Sequence, residues 1–325
     1  MKKILAIISS ALIVASFTAC GSDPAPQVEQ KKPFTVLTTN FPTYDIAKQL
    51  IKENGVVSVI NDKSSYEYQY TPKDINQLNN ADIFFYMGKD EEPWVAQALE
   101  DENMTNDELM VVDVTKDIEI KGNVLNYADT IGAETTYDML KNCEGTIMNQ
   151  DIAYWLNIEN AIIMTNTIQE HISNVDYKNE TAYVERAQTY ITSLRNLKER
   201  YERVSENSTS SGLIIVGNFE YFHLAQWLDL KIISAYDKEA TDEITPSTKR
   251  LVNIIDFINK NKTKYIVSDE TASLYAVKAI QADTTCEPLY FNTMVHMTSD
   301  DYKDETITYY SIMEQNYIVF KNCII

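Results

Sequence analysis

Between Asn179 and Asn207, Tyr183, Ala187, Tyr190, Ile191, Leu194, Leu197, Tyr201 and Val204 recur at intervals of three and four. That rhythm puts an unbroken apolar stripe along one helix face. At 1.5 Å per residue, roughly 28 residues span about 40 Å, too long for a crossover within one small sheet. The segment predicts a stiff connector between two lobes. "SENSTSSG" (205–212) then breaks the pattern.

Strand-like and helix-like segments alternate on both sides of this connector. "FTVLTTN" (34–40), "VVSVIN" (56–61), "DIFFYM" (82–87) and "LMVVDV" (109–114) read as strands. "TYDIAKQLIKENG" reads as a helix with Ile46, Ala47, Leu50 and Ile51 on one face and Gly55 as its C-terminal stop. "TPKDINQL" opens another, with Thr71 as N-cap and Pro72 at the first helical position. In the second half "LIIVGN", "LKIISAY", "KYIVSDE" and "PLYFNT" read as strands, with helices around 219–228, 247–260, 271–282 and 306–322. Such alternation implies parallel sheets covered by helices. The expected fold class is α/β: two lobes, each a mainly parallel sheet flanked by helices, joined by a long rigid helix. The lobes are placed at 34–178 and 208–325, with the connecting helix at 179–207. Clefts in such folds bind small ligands at the carboxyl ends of the strands.

The N-terminus predicts the compartment. "MKKILAIISSALIVASFTAC" has a basic start, an apolar run from Ile4 to Val14 and small residues before Cys20. The run is too short to cross a bilayer and reads as a secretory signal over residues 1–20. Phe17-Thr18-Ala19-Cys20 resembles a bacterial lipobox, with Phe where Leu is usual, which makes Cys20 the lipidated residue; the bland alternative is an ordinary signal peptide. Residues 21–33, "GSDPAPQVEQKKP", carry no periodic pattern and read as a flexible tether. The expected location is the extracytoplasmic face of the cell membrane, lipid-anchored.

Composition excludes several classes. A net charge of −20 repels nucleic acid and anionic headgroups and argues against anionic substrates. Beyond Cys20 only Cys143, Cys286 and Cys323 remain, with no CxxC spacing, so a structural zinc cluster is not expected and one disulfide is possible but unassigned. The three histidines, His171, His223 and His296, form no HExxH pair. His171 near a helix end complements the helix dipole, and His223, beside Leu224 and Trp227, reads as a packing or surface residue. No nucleophile–base pair or phosphate-cradling glycine loop is visible among only 8 glycines, so the chain reads as no enzyme, without a catalytic cofactor.

"DIAYWLNIENA" (151–161) reads as a turn entering a helix. Asn157 is its N-cap, and Ile158, Ala161, Ile162, Thr165, Ile168 and Ile172 form the buried face. The stretch is similar to an Asp-Pro-His-x-Trp-Leu-Asp-Pro-x-Asn-Ala motif. "FTVLTTNFPTYDIAKQL", "DKSSYEYQYTPKDINQLNNADIFFYMGKDEEPW", "DEITPSTKRLVNIIDFINKNKTKYIVSDE" and "TYYSIMEQN" match further motifs in the same order. Together they resemble the metal-binding solute receptors of bacterial zinc and manganese ABC importers, over nearly all of the mature chain.

The resemblance implies a monomer that captures zinc or manganese between its lobes as cargo and delivers it to an ABC permease. It also implies four ligands, mostly His with Glu or Asp, two from each lobe. The first falls on Tyr66, or on Ser64 if a gap is allowed, with Glu67 the nearest oxygen donor. The second falls on Ala153, which has no donor atom. The third falls on Asn218, or on Val216 in another alignment. The fourth falls on His296, with Asn292 second. The metal candidates are thus His296, Asn218 and Glu67, and Ala153 and Tyr66 stand where ligands are lost. The cleft is expected to comprise Tyr66, Tyr68, Ala153, Trp155, Asn218 and His296. Its aromatics either fill vacated space or form a wall for an organic or chelated guest. The alternative function keeps the fold without free-metal binding, holding such a ligand or acting as a surface interaction protein.

Overall fold

The computed structural model describes residues 33–60, 68–89, 91–119, 153–208, 212–217, 221–234, 248–269 and 272–325. Two four-stranded parallel sheets organise it. The first contains β1 (Phe34–Thr38), β2 (Gly55–Val59), β3 (Ile83–Tyr86) and β4 (Met110–Asp113), in the order β2-β1-β3-β4. The second contains β5 (Gly212–Val216), β6 (Lys231–Ser234), β7 (Tyr265–Ser268) and β8 (Glu287–Tyr290), in the equivalent order β6-β5-β7-β8. Every strand pair is parallel, as the alternation predicts.

The helices of the first half are α1 (Phe41–Ile51), α2 (Pro72–Asn80) and α3 (Trp94–Leu99). Asn40 caps α1 by accepting from Thr43 N at 3.0 Å. Gly55 does not end this helix: a 3-10 turn continues to Asn54, and Gly55, in extended conformation, starts β2. The helix stops at Lys52, which takes φ 48° and donates its N–H to Lys48 O. Helix α2 carries the predicted Thr71 cap, closed reciprocally by Asp74.

Helix α4 (Ile158–Val175) starts at Asn157, whose side chain accepts from Glu159 N at 2.9 Å. Its six predicted core positions are all buried. The long helix is α5 (Glu180–Glu206), 27 residues. At one end Arg186 donates to the carbonyls of Leu50 and Ile51, both at 2.9 Å. At the other, Tyr201 donates to Met313 O and Ser205 to Leu228 O, both at 2.8 Å. It therefore ties the two halves together.

The second half adds α6 (Phe222–Leu228), α7 (Thr248–Asn261), α8 (Leu274–Asp283) and α9 (Tyr309–Cys323). One hydrophobic cluster runs unbroken through both halves, from Val36 and Phe41 through Trp155 and Leu197 to Phe291 and Tyr309. Residues 33–325 accordingly form one compact unit. Cys286 and Cys323 are buried free thiols. No helix among the described residues is long and apolar enough to cross a membrane. Cys20, residues 21–32 of the expected tether and Cys143 lie outside the described residues.

Candidate functional site

Loops leaving the carboxyl ends of both sheets meet at the 3-10 turn Tyr154–Leu156. Ala153 stands at its head and is 0 % exposed. Trp155, also fully buried, donates its indole N–H to Thr293 O at 2.7 Å, in the loop after β8. The Trp155 carbonyl accepts the Tyr309 hydroxyl at 2.7 Å, from the first residue of α9. Tyr154 donates to Glu91 Oε1 at 2.5 Å, in the loop after β3. Its ring stacks on His223 of α6, with centroids 4.2 Å apart. One three-residue turn thus touches four separate elements.

Further buried polar groups lie beside the residues that hold it. Glu92 Oε2 accepts from Met87 N at 2.6 Å and from the Thr39 hydroxyl at 3.0 Å. Burial pushes its carboxyl up to about 7, because those two donors recover only part of the lost hydration and Glu91 and Asp113 add repulsion. Asp45 on α1 reaches across to α9, accepting Tyr309 N at 2.9 Å. Burial pushes it to about 6, partly offset by Gln49, Tyr309 N–H and Lys48. In the second half, buried Asp269 accepts the Tyr221 hydroxyl at 2.9 Å. A Cβ at Gly217 would lie 2.0 Å from Asp269 Oδ2, so glycine after β5 is what lets this carboxylate approach the backbone.

The expected cleft residues fall into three groups. Ala153, Trp155 and the 292–296 loop come together, with His296 exposed three residues beyond Thr293. Asn292 spends its side-chain oxygen on Met294 N at 2.8 Å, and Val216 is a core residue of β5. Tyr68 lies apart: its hydroxyl donates to Asp74 at 2.6 Å and its ring meets Trp94 edge-on at 5.1 Å. It lines an outer cavity of about 600 Å³ with Tyr44 and Tyr302. Ser64, Tyr66, Glu67 and Asn218 lie outside the described residues. Among the described residues, no group of three or more His, Cys, Asp or Glu is placed to hold a metal ion.

Residues that the sequence motifs did not single out contribute most of this polar centre: Thr39, Glu91, Glu92 and Asp269. His223, read from sequence as a packing or surface residue, is buried, 1 % exposed. The available signal was paired acids in "YMGKDEEPW", directly after a parallel strand.

The profile of the zinc-uptake complex component A periplasmic (ZnuA) family matches residues 36–323. The chain belongs to this family. Among ZnuA relatives, the zinc-binding lipoprotein AdcA of Streptococcus pneumoniae is 27% identical over 97% of this chain and 60% of its own length. A metal ABC transporter substrate-binding lipoprotein of Lactococcus lactis is 25% identical over 97% of this chain and 95% of its own length. The chain thus spans about 60% of the length of the streptococcal relatives it matches. The crystal structure of the metal-dependent lipoprotein YcdH of Bacillus subtilis shares the fold, with TM-score 0.71 and 22% identity over 90% of this chain and 99% of that one. The ZnuA family is defined by uptake rather than by a catalysed reaction, in agreement with the reading of the chain as no enzyme.

Proposed function

We propose that this chain is the solute-binding lipoprotein of a zinc- or manganese-type ABC importer. Lipidated Cys20 anchors it as a monomer on the extracytoplasmic face of the membrane. It captures its cargo between the lobes, beside the 153–156 turn, and passes it to a permease in the membrane. The observation that carries this reading is the family match from 36 to 323, which runs through both sheets and the turn between them. The relatives named as zinc-binding or metal-transporter lipoproteins support the cargo class. His296 supplies the one imidazole at a family ligand position, with Glu67 and Asn218 as the other donors.

Ala153 favours a second reading. A fully buried methyl group stands at a family ligand position, and losing even a partner of a ligand costs about 10–100-fold in metal affinity. In that reading the lobes hold an organic or chelate ligand, or a surface partner is bound instead.

Calorimetric titration of the purified chain with zinc and with manganese, against a chelator control, separates the two. The first reading predicts stoichiometric binding of one ion that His296→Ala weakens at least tenfold. Absence of binding by either ion would overturn free-ion cargo and leave the second reading.

A further inference from the structure

Receptors that close on an ion use its ligands as the link between lobes, because each lobe supplies part of the coordination shell. Here a link exists that needs no ion. Tyr154 is held from one side by Glu91, which accepts its hydroxyl proton at 2.5 Å. From the other side His223, on α6 of the second half, stacks its ring on the phenol at 4.2 Å with 28° between planes. All three residues are buried. The same turn adds Trp155 to Thr293 O and Tyr309 to Trp155 O, both at 2.7 Å and both crossing between halves.

We propose that Tyr154, anchored by Glu91 and stacked on His223, is a built-in clasp that holds the halves together in place of a cargo ion. Tyr154 is thereby a positioning residue: it sets the closed arrangement before cargo arrives. The inference rests on the capture reading above and deepens it. A ligand shifts a conformational equilibrium only by its differential affinity for the two states. With closure already supplied by side chains, an ion arriving at this centre adds occupancy and little motion. The aromatic pair and the phenol–carboxylate bond are each stabilising in a water-poor setting, and the continuous core beneath them keeps the hinge excursion small.

Hydrogen exchange of the full chain, with excess chelator and then with zinc chloride, tests this. Segments 86–89 and 221–228 report the two sides of the clasp. Wild-type exchange there is expected to be the same, within about twofold, with chelator and with zinc. Tyr154→Phe keeps the ring and loses the bond to Glu91, and is expected to speed exchange in both segments about fivefold, the effect of one hydrogen bond. His223→Phe keeps the stack and is expected to leave exchange at the wild-type rate. The clasp is overturned if zinc slows wild-type exchange in both segments together, or if Tyr154→Phe exchanges like wild type. Calorimetry on the same samples keeps the two proposals distinct. Zinc that binds without changing exchange sustains both, whereas no zinc binding with a fast Tyr154→Phe sustains the clasp and sinks the free-ion cargo.

Discussion

A methyl group at Ala153 has no lone pair to give a cation, and its position is fully buried. Placing an imidazole there adds volume to a packed turn, so Ala153→His is expected to destabilise the chain by about 1–3 kcal/mol, measured by urea unfolding with chelator present. A neutral or stabilising change would show room at this position that the packing denies. Glu92 makes a second residue-scale prediction, with a defined sign. Its carboxyl is raised from 4.5 to about 7, so between those values the folded chain keeps a proton that the unfolded chain has released. Stability at this position is therefore greatest at the acid end and falls as pH rises through that window. The loss is on the order of 3 kcal/mol by neutral pH. Glu92→Gln keeps an acceptor for Met87 N–H and the Thr39 hydroxyl but never ionises. Its stability relative to wild type should therefore improve from about pH 4.5 to about pH 8, and parallel unfolding curves across that range would refute the assignment. Asp45, raised from 3.8 to about 6, acts in the same direction over a lower window.

At the scale of elements, α5 carries the connection between halves. Leu197 is fully exposed to neither side, being 0 % accessible on the buried face of that helix. Leu197→Ala is expected to cost about 2–5 kcal/mol and to lower the urea midpoint; a loss under about 1 kcal/mol would mean the helix bears little of the packing. The extent of α5 was legible because its apolar rhythm persists for 27 residues, and Asn157 and Thr71 were legible as caps because their chemistry is local. Gly55 misled for the complementary reason. A glycine after a helical pattern reads as a stop, yet the register of β1 with β2 pairs Phe34 with Gly55, and a Cβ there would lie 2.5 Å from Phe34 O. Close strand approach, not helix termination, is what requires glycine. Gly217 is similar: Asp269 presses on it from 52 positions further along the chain, a contact no local pattern encodes. Gly217→Ala is expected to displace Asp269 and lower the thermal midpoint.

For the molecule as a whole, the two-lobe α/β architecture could be read from alternation alone, since parallel sheets need helical crossovers and the connector was too long for one. The candidate site could not. Its parts come from Glu91, the 154–156 turn, His223, Asp269 and the loop after β8, which converge only after both sheets have formed, and motif positions alone do not show which side chains meet there. Next to Ala153, Tyr154 bonds Glu91 and stacks on His223, over a core shared by both halves. The central claim remains that cargo is taken between those halves. The most direct measurement is anomalous X-ray diffraction from crystals of the zinc-equilibrated protein. The account predicts a single zinc peak between the lobes, beside the 153–156 turn and the 292–296 loop, with His296 in its shell and the Tyr154–His223 stack intact. Zinc found only at carboxylates on the outer surface, with none between the lobes, would contradict it.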